Sequence, residues 1–483
     1  MNYKMIGRIS AQILMLEALF MVPSILWCLL DHQPKIVHAF LVAIAITLAI
    51  ALMLWLRCRK AEKQFYAREG FVCVGLCWIV MSILGCLPFY LSGAIPRFID
   101  ALFEMVSGFT TTGASILSEV ESVPRGLLFW RSFSHWLGGM GVLVFLLAIG
   151  TGKRAGGFTV HLLRAESPGP DVGKLVPRMR RTASLLYIIY IVLTLLNIIF
   201  LLAGGMSVFE ALCTAFGTAG TGGFGVRNDS IASYSPYIQN VCTVFMLLFG
   251  INFSIHYLLL LRRFWSVISD EELRMYLGLV IVFTGVIAWN IRDLYETVEE
   301  TVRHAAFQVA SIITTTGFAT TDFNQWPSLS KALLLILMIV GACAGSTGGG
   351  FKCGRMMLAL KNMARSIRQL LYPQRVQVVR VNRQVVSEHI LSNVYAFLAA
   401  YVAILVCSVL LISGDGFSLE TNLTAVMSCF NNIGPGLDRV GPTQNFAAYS
   451  TFSKSVLIFD MLAGRLEIFP ILALLSRTTW KRR

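Results

Sequence analysis

Four short segments of similar sequence recur along the chain, and each combines a glycine with groups that offer oxygen atoms. They read TTTG, GTGG, TTTG and NNIG at residues 110–113, 220–223, 314–317 and 431–434. Backbone carbonyls and hydroxyls from four such loops around one axis can replace the water around a dehydrated cation. The segments therefore predict an ion pathway with fourfold pseudo-symmetry, built by a single polypeptide.

The four segments agree in register when they are aligned on their glycines, which are Gly113, Gly223, Gly317 and Gly434. Six positions earlier each has a small residue: Ser107, Gly217, Ser311 and Ser428. Two positions earlier each has a side-chain oxygen: Thr111, Thr221, Thr315 and Asn432. The residue directly before the glycine varies: Thr112, Gly222, Thr316 and Ile433. We predict that, in each loop, the glycine and the two residues directly before it form a selectivity filter. Turns that only connect helices are the alternative, since glycine and threonine are common there.

Glycine is required in such a loop because successive carbonyls point to one side only if the backbone visits conformations that a Cβ penalises. The fourth loop, with Gly434 and Gly436, comes closest to the TVGYG filter of potassium channels. The other loops have fewer constraining glycines, so we expect a less rigid and less selective filter than in a dedicated potassium channel.

The helix that follows each loop is interrupted in three of the four cases, at residues 136–141, 250–252 and 341–350. The third interruption is the longest and contains three consecutive glycines, each of which costs about 1 kcal/mol relative to alanine in a helix. We expect it to unwind into an intramembrane gate beneath the filter, formed by Gly345, Ser346, Thr347, Gly348, Gly349 and Gly350. Close packing of two helices is the alternative.

Three charged residues lie within apolar segments near the loops. Arg465 is predicted near the middle of the last spanning helix, where it could raise a barrier to cations; a salt bridge to Glu467 or Asp460 is the alternative. Glu104 and Glu210 are predicted to support the starts of short helices by capping and through the helix dipole, with attraction of cations as the weaker alternative.

The elements that position these loops are helices in a membrane. The chain has 483 residues, of which 56% are hydrophobic and 14% charged, whereas about 25% charged residues is typical of soluble domains. Apolar runs of roughly 18 residues or more recur, long enough to cross the hydrocarbon core. The run at residues 9–30 is too long for a cleavable signal and is predicted to be the first spanning helix. We predict an all-α polytopic membrane protein with about ten transmembrane helices.

The order of apolar segments predicts an N-terminal two-helix hairpin followed by four repeats of helix, short re-entrant helix, glycine loop and second helix. The predicted boundaries are 1–68 for the hairpin and 69–181, 182–273, 274–385 and 386–483 for the repeats. Repeats at a spacing of about 94 to 117 residues are consistent with one repeated supersecondary unit.

Basic residues cluster between the predicted spans and give a net charge of +14. Such segments remain on the cytoplasmic side of membrane proteins, which places both termini inside. Because topology accounts for the charge, nucleic-acid binding is not expected. The eleven cysteines are scattered without a CxxC pair and are expected to be buried apolar residues. The seven histidines form no catalytic cluster, so no enzyme is predicted.

Together, the four loops, GSTGGG at residues 345–350 and GRLE at 464–467 resemble the Trk/Ktr/HKT superfamily of potassium transporters, most closely the bacterial Trk membrane subunit of the TrkH/TrkG type. The resemblance implies K⁺ uptake across the bacterial inner membrane, a homodimer with one pore per protomer, and no cofactor. It also implies a cytosolic ring of nucleotide-binding regulatory subunits, a filter at the loop residues, a gate at 344–350 and a barrier at Arg465.

Two departures from this family pattern are Asp438, next to Arg439, and Gly222, where the first and third loops have threonine.

A secondary carrier with a midplane site is the alternative function. It predicts inverted repeats and two interrupted helices, whereas the four repeats found here all have the same orientation.

Overall fold

A computed structural model describes residues 1–59, 67–139, 141 and 179–480 of the chain. Many of the basic residues on which the predicted topology depends lie outside the described residues: Lys60, Lys63, Lys153, Arg154, Arg164, Lys174, Arg178, Lys481, Arg482 and Arg483. The helices of the described part are joined by loops, and its one short antiparallel hairpin pairs Arg380–Val381 with Gln384–Val385.

The N-terminal hairpin consists of Tyr3–Leu30 and Pro34–Arg57. Its second helix begins at Pro34. Proline suits this position because the N–H groups of the first turn have no partner within the helix, and proline has no N–H. The inward faces carry small or aromatic side chains such as Ala18, Ala43 and Phe40, all of them buried. Large exposed side chains such as Leu26, Leu30 and Leu52 cover the outward faces, as expected of helices in contact with lipid.

The segments predicted as repeats 1 to 4 each contain a long helix, a short helix and a second helix after the glycine loop. Repeat 1 has Ala67–Gly85, Leu87–Ser92, Phe98–Phe109 and Arg125–Gly139. Repeat 2 has Met179–Ala203, Val208–Ala219, Pro236–Phe249, Phe253–Leu260 and Phe264–Ile268. Repeat 3 has Glu271–Ile291, Val298–Ile313, Ser328–Val340 and Cys353–Leu371. Repeat 4 has Glu388–Ile412, Leu419–Asn431, Thr451–Arg465, Phe469–Leu475 and Arg477–Trp480.

The predicted all-α polytopic fold is confirmed. Among the described residues, six helices are long and apolar enough to cross a membrane, or seven if Pro236–Phe249 and Phe253–Leu260 count as one bent span. The predicted number of about ten is larger because three second helices have only 13 to 15 residues. A straight crossing takes roughly 20 residues, so these helices are too short to be counted on length alone.

The second helices end or bend where the sequence predicts interruptions. In repeat 2 the chain bends by 94° between Phe249 and Phe253. In repeat 3 the helix ends at Val340, and the next begins at Cys353. Gly341, the first residue after the helix, has φ +70°, a conformation that stops a helix and suits glycine.

The fourth repeat contains a break that is not among the interruptions predicted from the sequence. The apolar run at residues 456–475 is expected to be continuous, but Thr451–Arg465 ends and Phe469–Leu475 begins after three residues. Glu467 and Ile468 have φ +57° and +64° there. Arg465 therefore lies in the last turn of a helix and not near the middle of one. The signal for this break is local: Gly464, Arg465 and Glu467 interrupt the apolar run, and Pro470 lies in the first turn of the helix that follows.

Candidate functional site

The short helix of each repeat delivers the chain to its glycine loop. Three of the four helices begin with a side-chain cap: Ser207 accepts a hydrogen bond from Glu210, Thr297 from Glu300 and Ser418 from Thr421. Such caps satisfy backbone N–H groups that a helix start leaves without partners. Each helix then ends at or just before the loop, so all four loops leave the C-terminal end of a short helix.

The loops share one backbone conformation. The residue two positions before each glycine has a φ between +53° and +57°, although three of the four are threonine. The glycines themselves have φ between +76° and +103°. A β-branched residue in the left-handed region is strained, and such strain is concentrated at functional sites. The positions that align in the four sequence segments therefore also have the same backbone conformation.

One hydrogen bond closes every loop onto its own short helix. The N–H directly before the glycine donates to the carbonyl six positions before the glycine: Thr112 to Ser107, Gly222 to Gly217, Thr316 to Ser311 and Ile433 to Ser428, all at 2.8 to 2.9 Å. In two loops the serine hydroxyl then donates back, from Ser311 to Phe318 O and from Ser428 to Gly434 O. This tight turn explains why small residues recur six positions before the glycine.

The four loops contact one another in a closed cycle. A methyl group on Gly113 would lie 2.0 Å from Gly222 O, one on Gly223 2.0 Å from Thr316 O, and one on Gly317 2.0 Å from Ile433 O. The cycle closes where a methyl group on Gly434 would lie 2.9 Å from Thr112 O. Each glycine thus lets the carbonyl of the next loop approach, and the order around the axis is the order along the chain.

All four glycines line a cavity of about 200 Å³ on one side of this ring. Its wall also contains Gly225, Pro435 and Asn445, together with part of Arg131. Aqueous ions entering this cavity would meet the ring of loops directly. The residues before the glycines, which lie deeper in each loop, define the opposite side of the ring.

Two oxygen atoms on that deeper side have no hydrogen-bond partner within the described residues: Thr111 Oγ1 and Asn432 Oδ1, both fully buried. Buried polar atoms are normally satisfied by a protein group or by water. A methyl group on Gly464 would lie 3.0 Å from Asn432 Oδ1, so this oxygen faces the helix Thr451–Arg465. The four carbonyls of the cycle are the type of group that replaces the hydration shell of a cation.

Residues 341–352 pass directly beneath loops 3 and 4, and we call them the gate segment. Gly349 N–H donates to Thr315 Oγ1 at 2.6 Å. A methyl group on Gly349 would lie 2.3 Å from Asn431 O, and one on Gly348 2.8 Å from Thr314 O. The predicted gate residues are therefore packed against the deeper side of the ring, with glycine where the backbones meet.

Arg465, at the end of the helix that follows loop 4, contacts this gate segment. Its guanidinium donates to Thr347 O at 2.8 Å, to Gly139 O at 2.7 Å and to Gly138 O. The last two carbonyls terminate the second helix of repeat 1, where the helix dipole favours a cation. Neither Glu467 nor Asp460 provides these bonds: Glu467 forms an ion pair with Arg355, and Asp460 accepts from Ser408.

The comparison with known families agrees with this geometry. A family model described as a cation transport protein, TrkH, matches residues 36–480. The chain belongs to the TrkH family. Its relatives include the Trk system potassium uptake protein TrkH of Halomonas elongata and that of Escherichia coli, each 36% identical over the full length of both chains. The TrkG protein of Escherichia coli is 31% identical over 99% of both chains.

A solved structure, that of the potassium transporter TrkH from Vibrio parahaemolyticus, superposes with a TM-score of 0.89 at 31% identity and covers 100% of both chains. The predicted resemblance to TrkH and TrkG is confirmed. Because the TrkH family consists of cation transport proteins, the prediction of a transporter and not an enzyme is confirmed as well.

Sequence reasoning missed the buried ion pairs of this TrkH-family chain. Glu104 does not support a helix start: it lies in the middle of Phe98–Phe109, and its carboxylate is 2.6 Å from Arg131 Nε. Lys454 reaches Asp100 at 2.6 Å and is also buried. A single charge in an apolar helix is the available signal, but the sequence alone does not indicate its partner. Glu210, in contrast, forms the predicted capping interaction with Ser207.

Proposed function

We propose that this chain takes up K⁺ across a bacterial inner membrane, and that the ions pass through the ring formed by the four loops. The observation that carries the proposal is the closed cycle of contacts from Gly113 through Gly223 and Gly317 to Gly434. Four backbone carbonyls in such a cycle surround one axis, and a ring of carbonyls is the chemistry that replaces the hydration shell of K⁺. The names of the relatives, potassium uptake proteins, support the choice of ion.

The proposed filter comprises Thr111, Thr112, Gly113, Thr221, Gly222, Gly223, Thr315, Thr316, Gly317, Asn432, Ile433 and Gly434. Its side chains are not equivalent. Thr112 Oγ1 and Thr316 Oγ1 each lie within hydrogen-bond distance of the hydroxyl two residues earlier, at 2.8 and 2.7 Å, but Thr112 Oγ1 also accepts from Asn432 Nδ2 at 2.9 Å. We expect Rb⁺ to pass about as well as K⁺, and Na⁺ less well.

The proposed gate is the glycine-rich part of the gate segment, residues 345–350, held by Arg465. Both elements lie on the deeper side of the ring, so an ion that leaves the filter must pass them. The guanidinium adds a positive charge at this point, which opposes the passage of a cation as long as it remains in place.

The wider assembly is also a proposal. It includes the four repeats with the boundaries given above, both termini in the cytoplasm, a homodimer in lipid, and a cytosolic ring of nucleotide-binding subunits. Support comes from the exposed basic residues after the gate segment, among them Arg368, Arg375 and Arg383, and from relatives whose names refer to a Trk system. No nucleic acid is part of this assembly. The secondary-carrier alternative is not favoured, because a fourfold ring differs from an inverted pair of broken helices.

Uptake of ⁸⁶Rb⁺ into proteoliposomes with a K⁺ gradient tests the proposal. Gly113→Ala is expected to abolish uptake, because the new methyl group would meet Gly222 O at 2.0 Å and because φ is +80°. The matched control is Gly278→Ala: Gly278 is a helical glycine with nothing within 4 Å of the new methyl group. Equal uptake by wild type and Gly113→Ala would show that the ions do not pass through the loops. Wild-type uptake no greater than that of empty liposomes would contradict transport by this chain.

A further inference from the structure

The residue directly before the filter glycine has a side chain in loops 1, 3 and 4, but in loop 2 it is Gly222. The backbone conformation of Gly222 does not explain why a glycine is found here. It is absent from the residues with positive φ, so any residue could adopt its conformation. The obstacle is His135. A Cβ on Gly222 would lie 2.3 Å from both Cγ and Nδ1 of the imidazole and 2.6 Å from Cδ2. The imidazole fills the space that a side chain at position 222 would need.

His135 belongs to the second helix of repeat 1 and is fully buried. Its ring stacks on Phe224, with 4.1 Å between ring centres and 22° between planes. Four residues earlier on the same helix face, the Arg131 guanidinium lies 3.4 Å from the centre of the Phe224 ring, in cation–π geometry. Arg131 also donates to Gly225 O at 3.0 Å. One helix therefore holds loop 2 at residues on both sides of Gly223.

The contact has a direct consequence for the ring, because Gly222 supplies the carbonyl oxygen that packs against Gly113 in loop 1. Any movement of Gly222 changes the position of one of the four carbonyls. In loops 1 and 3 the equivalent residues are Thr112 and Thr316, whose hydroxyls bond within their own loops. Loop 2 has no such hydroxyl, and the ring of His135 provides the lateral support in its place.

We propose that His135 is a positioning residue that fixes the carbonyl of Gly222 and thereby sets the discrimination between K⁺ and Na⁺. This inference rests on the proposed ion path through the loops. Ordinary core packing by His135 is the competing explanation. The two differ in one measurable respect: a packing residue affects the amount of folded protein, whereas a positioning residue also affects the ratio of K⁺ to Na⁺ flux in the protein that does fold.

The test is a double-mutant cycle of Gly222→Ala and His135→Ala in proteoliposomes, with ⁸⁶Rb⁺ and ²²Na⁺ uptake measured per folded protein. Gly222→Ala is expected to lower Rb⁺ uptake roughly tenfold, because the new methyl group cannot fit beside the imidazole unless the backbone of Gly222 or the ring shifts. Adding His135→Ala removes the ring and should restore most of this uptake. His135→Ala alone should keep Rb⁺ uptake within about threefold of wild type but lower the Rb⁺/Na⁺ ratio, because the carbonyl loses its lateral support.

Gly220→Ala is the matched control. Its new methyl group would lie 2.2 Å from the backbone oxygen of His135 and not against the ring, and the φ of −73° is ordinary. Truncating the His135 side chain leaves that oxygen in place, so His135→Ala should not rescue Gly220→Ala.

The proposal is overturned if Gly222→Ala behaves as wild type, if the double variant transports no better than Gly222→Ala, or if His135→Ala keeps the wild-type Rb⁺/Na⁺ ratio. The last measurement decides the matter even if Gly222→Ala yields no folded protein. Absence of Rb⁺ uptake by the wild type is a different result, since it contradicts the proposed ion path and not the contact between these two residues.

Discussion

The Nη1 atom of Arg465 donates a 2.8 Å hydrogen bond to the carbonyl oxygen of Thr347, which joins the end of a helix in repeat 4 to the gate segment of repeat 3. The same guanidinium donates to the last carbonyls of a helix in repeat 1, at Gly138 and Gly139. Arginine suits this position because its planar group offers five donors in a fixed geometry. A single side chain thus fixes the gate segment between two other repeats.

Replacing Arg465 by glutamine should therefore loosen the gate segment and remove a positive charge from the proposed ion path. Hydrogen bonds to a charged group contribute about 1.5–3 kcal/mol each, so the loss of several should raise Rb⁺ uptake by about tenfold or more. Arg465→Lys keeps the charge without the forked donors and should give an intermediate rate. Uptake into proteoliposomes measures the effect, with the exposed Arg375→Ala as control. Unchanged uptake in Arg465→Gln would show that this contact does not restrict ion flow.

The ion pair between Glu104 and Arg131 should be important for stability, because the two side chains are only 0% and 4% exposed. Glu104→Gln leaves the guanidinium buried without its counter-charge, which costs about 3–5 kcal/mol in comparable pairs. We expect a clear fall in the thermal unfolding midpoint in detergent.

A matched control for this pair is Asp293→Asn, which removes a carboxylate whose distance to Arg292 is 3.5 Å and whose side chain is 88% exposed. Exposed pairs contribute about 0–1 kcal/mol, so the midpoint should barely change. Replacing both partners, as in Glu104→Gln with Arg131→Met, should recover part of the loss. Equal midpoints for Glu104→Gln and Asp293→Asn would contradict the assigned role of the buried pair.

Asp438 should make a small contribution to stability that depends on pH. The hydroxyls of Thr421 and Ser418 donate to its carboxylate at 2.5 and 2.7 Å and hold the pKa of Asp438 below its ordinary value. A lowered pKa in the folded state means that the contribution is present above the unfolded value of about 3.9 and is lost as the pH falls through the folded value. Because the side chain is exposed, the contribution should be at most about 1 kcal/mol.

Asp438→Asn tests this prediction without disturbing the backbone, since asparagine also tolerates the φ of +56° at this position. Wild type should be slightly more stable than the variant at pH 7, and the difference should begin to shrink near pH 4 and disappear as the pH falls through the lower pKa of the folded state. Thermal unfolding across this pH range measures it. A constant difference at all pH values would mean that the carboxylate charge plays no part.

The sequence was informative where a requirement is local. The residue types at each glycine, and at two and six positions before it, are constrained by φ and by a hydrogen bond within one loop. Four copies of the pattern therefore predicted four loops of the same conformation. The three consecutive glycines at 348–350 likewise predicted an unwound segment, because helix propensity is a local property.

Contacts between distant segments could not be predicted in this way. The partner of Glu104 lies 27 residues away, and the carbonyls that bind Arg465 lie 118 to 327 residues away. The absence of a side chain at Gly222 was visible in the sequence, but its cause is the ring of His135 on a helix of another repeat. Such pairs depend on how the repeats pack, which a single sequence does not reveal.

The ring of loops also constrains the order of events during synthesis. Its last contacts join Gly434 and Asn432 to Thr112, which stands 320 positions earlier than Asn432 in the chain. Membrane proteins emerge from the ribosome N-terminus first, so loops 1 to 3 are synthesised before the loop that closes the ring. A nascent chain therefore lacks the complete ring, and the proposed ion path can form only after the final repeat has been inserted.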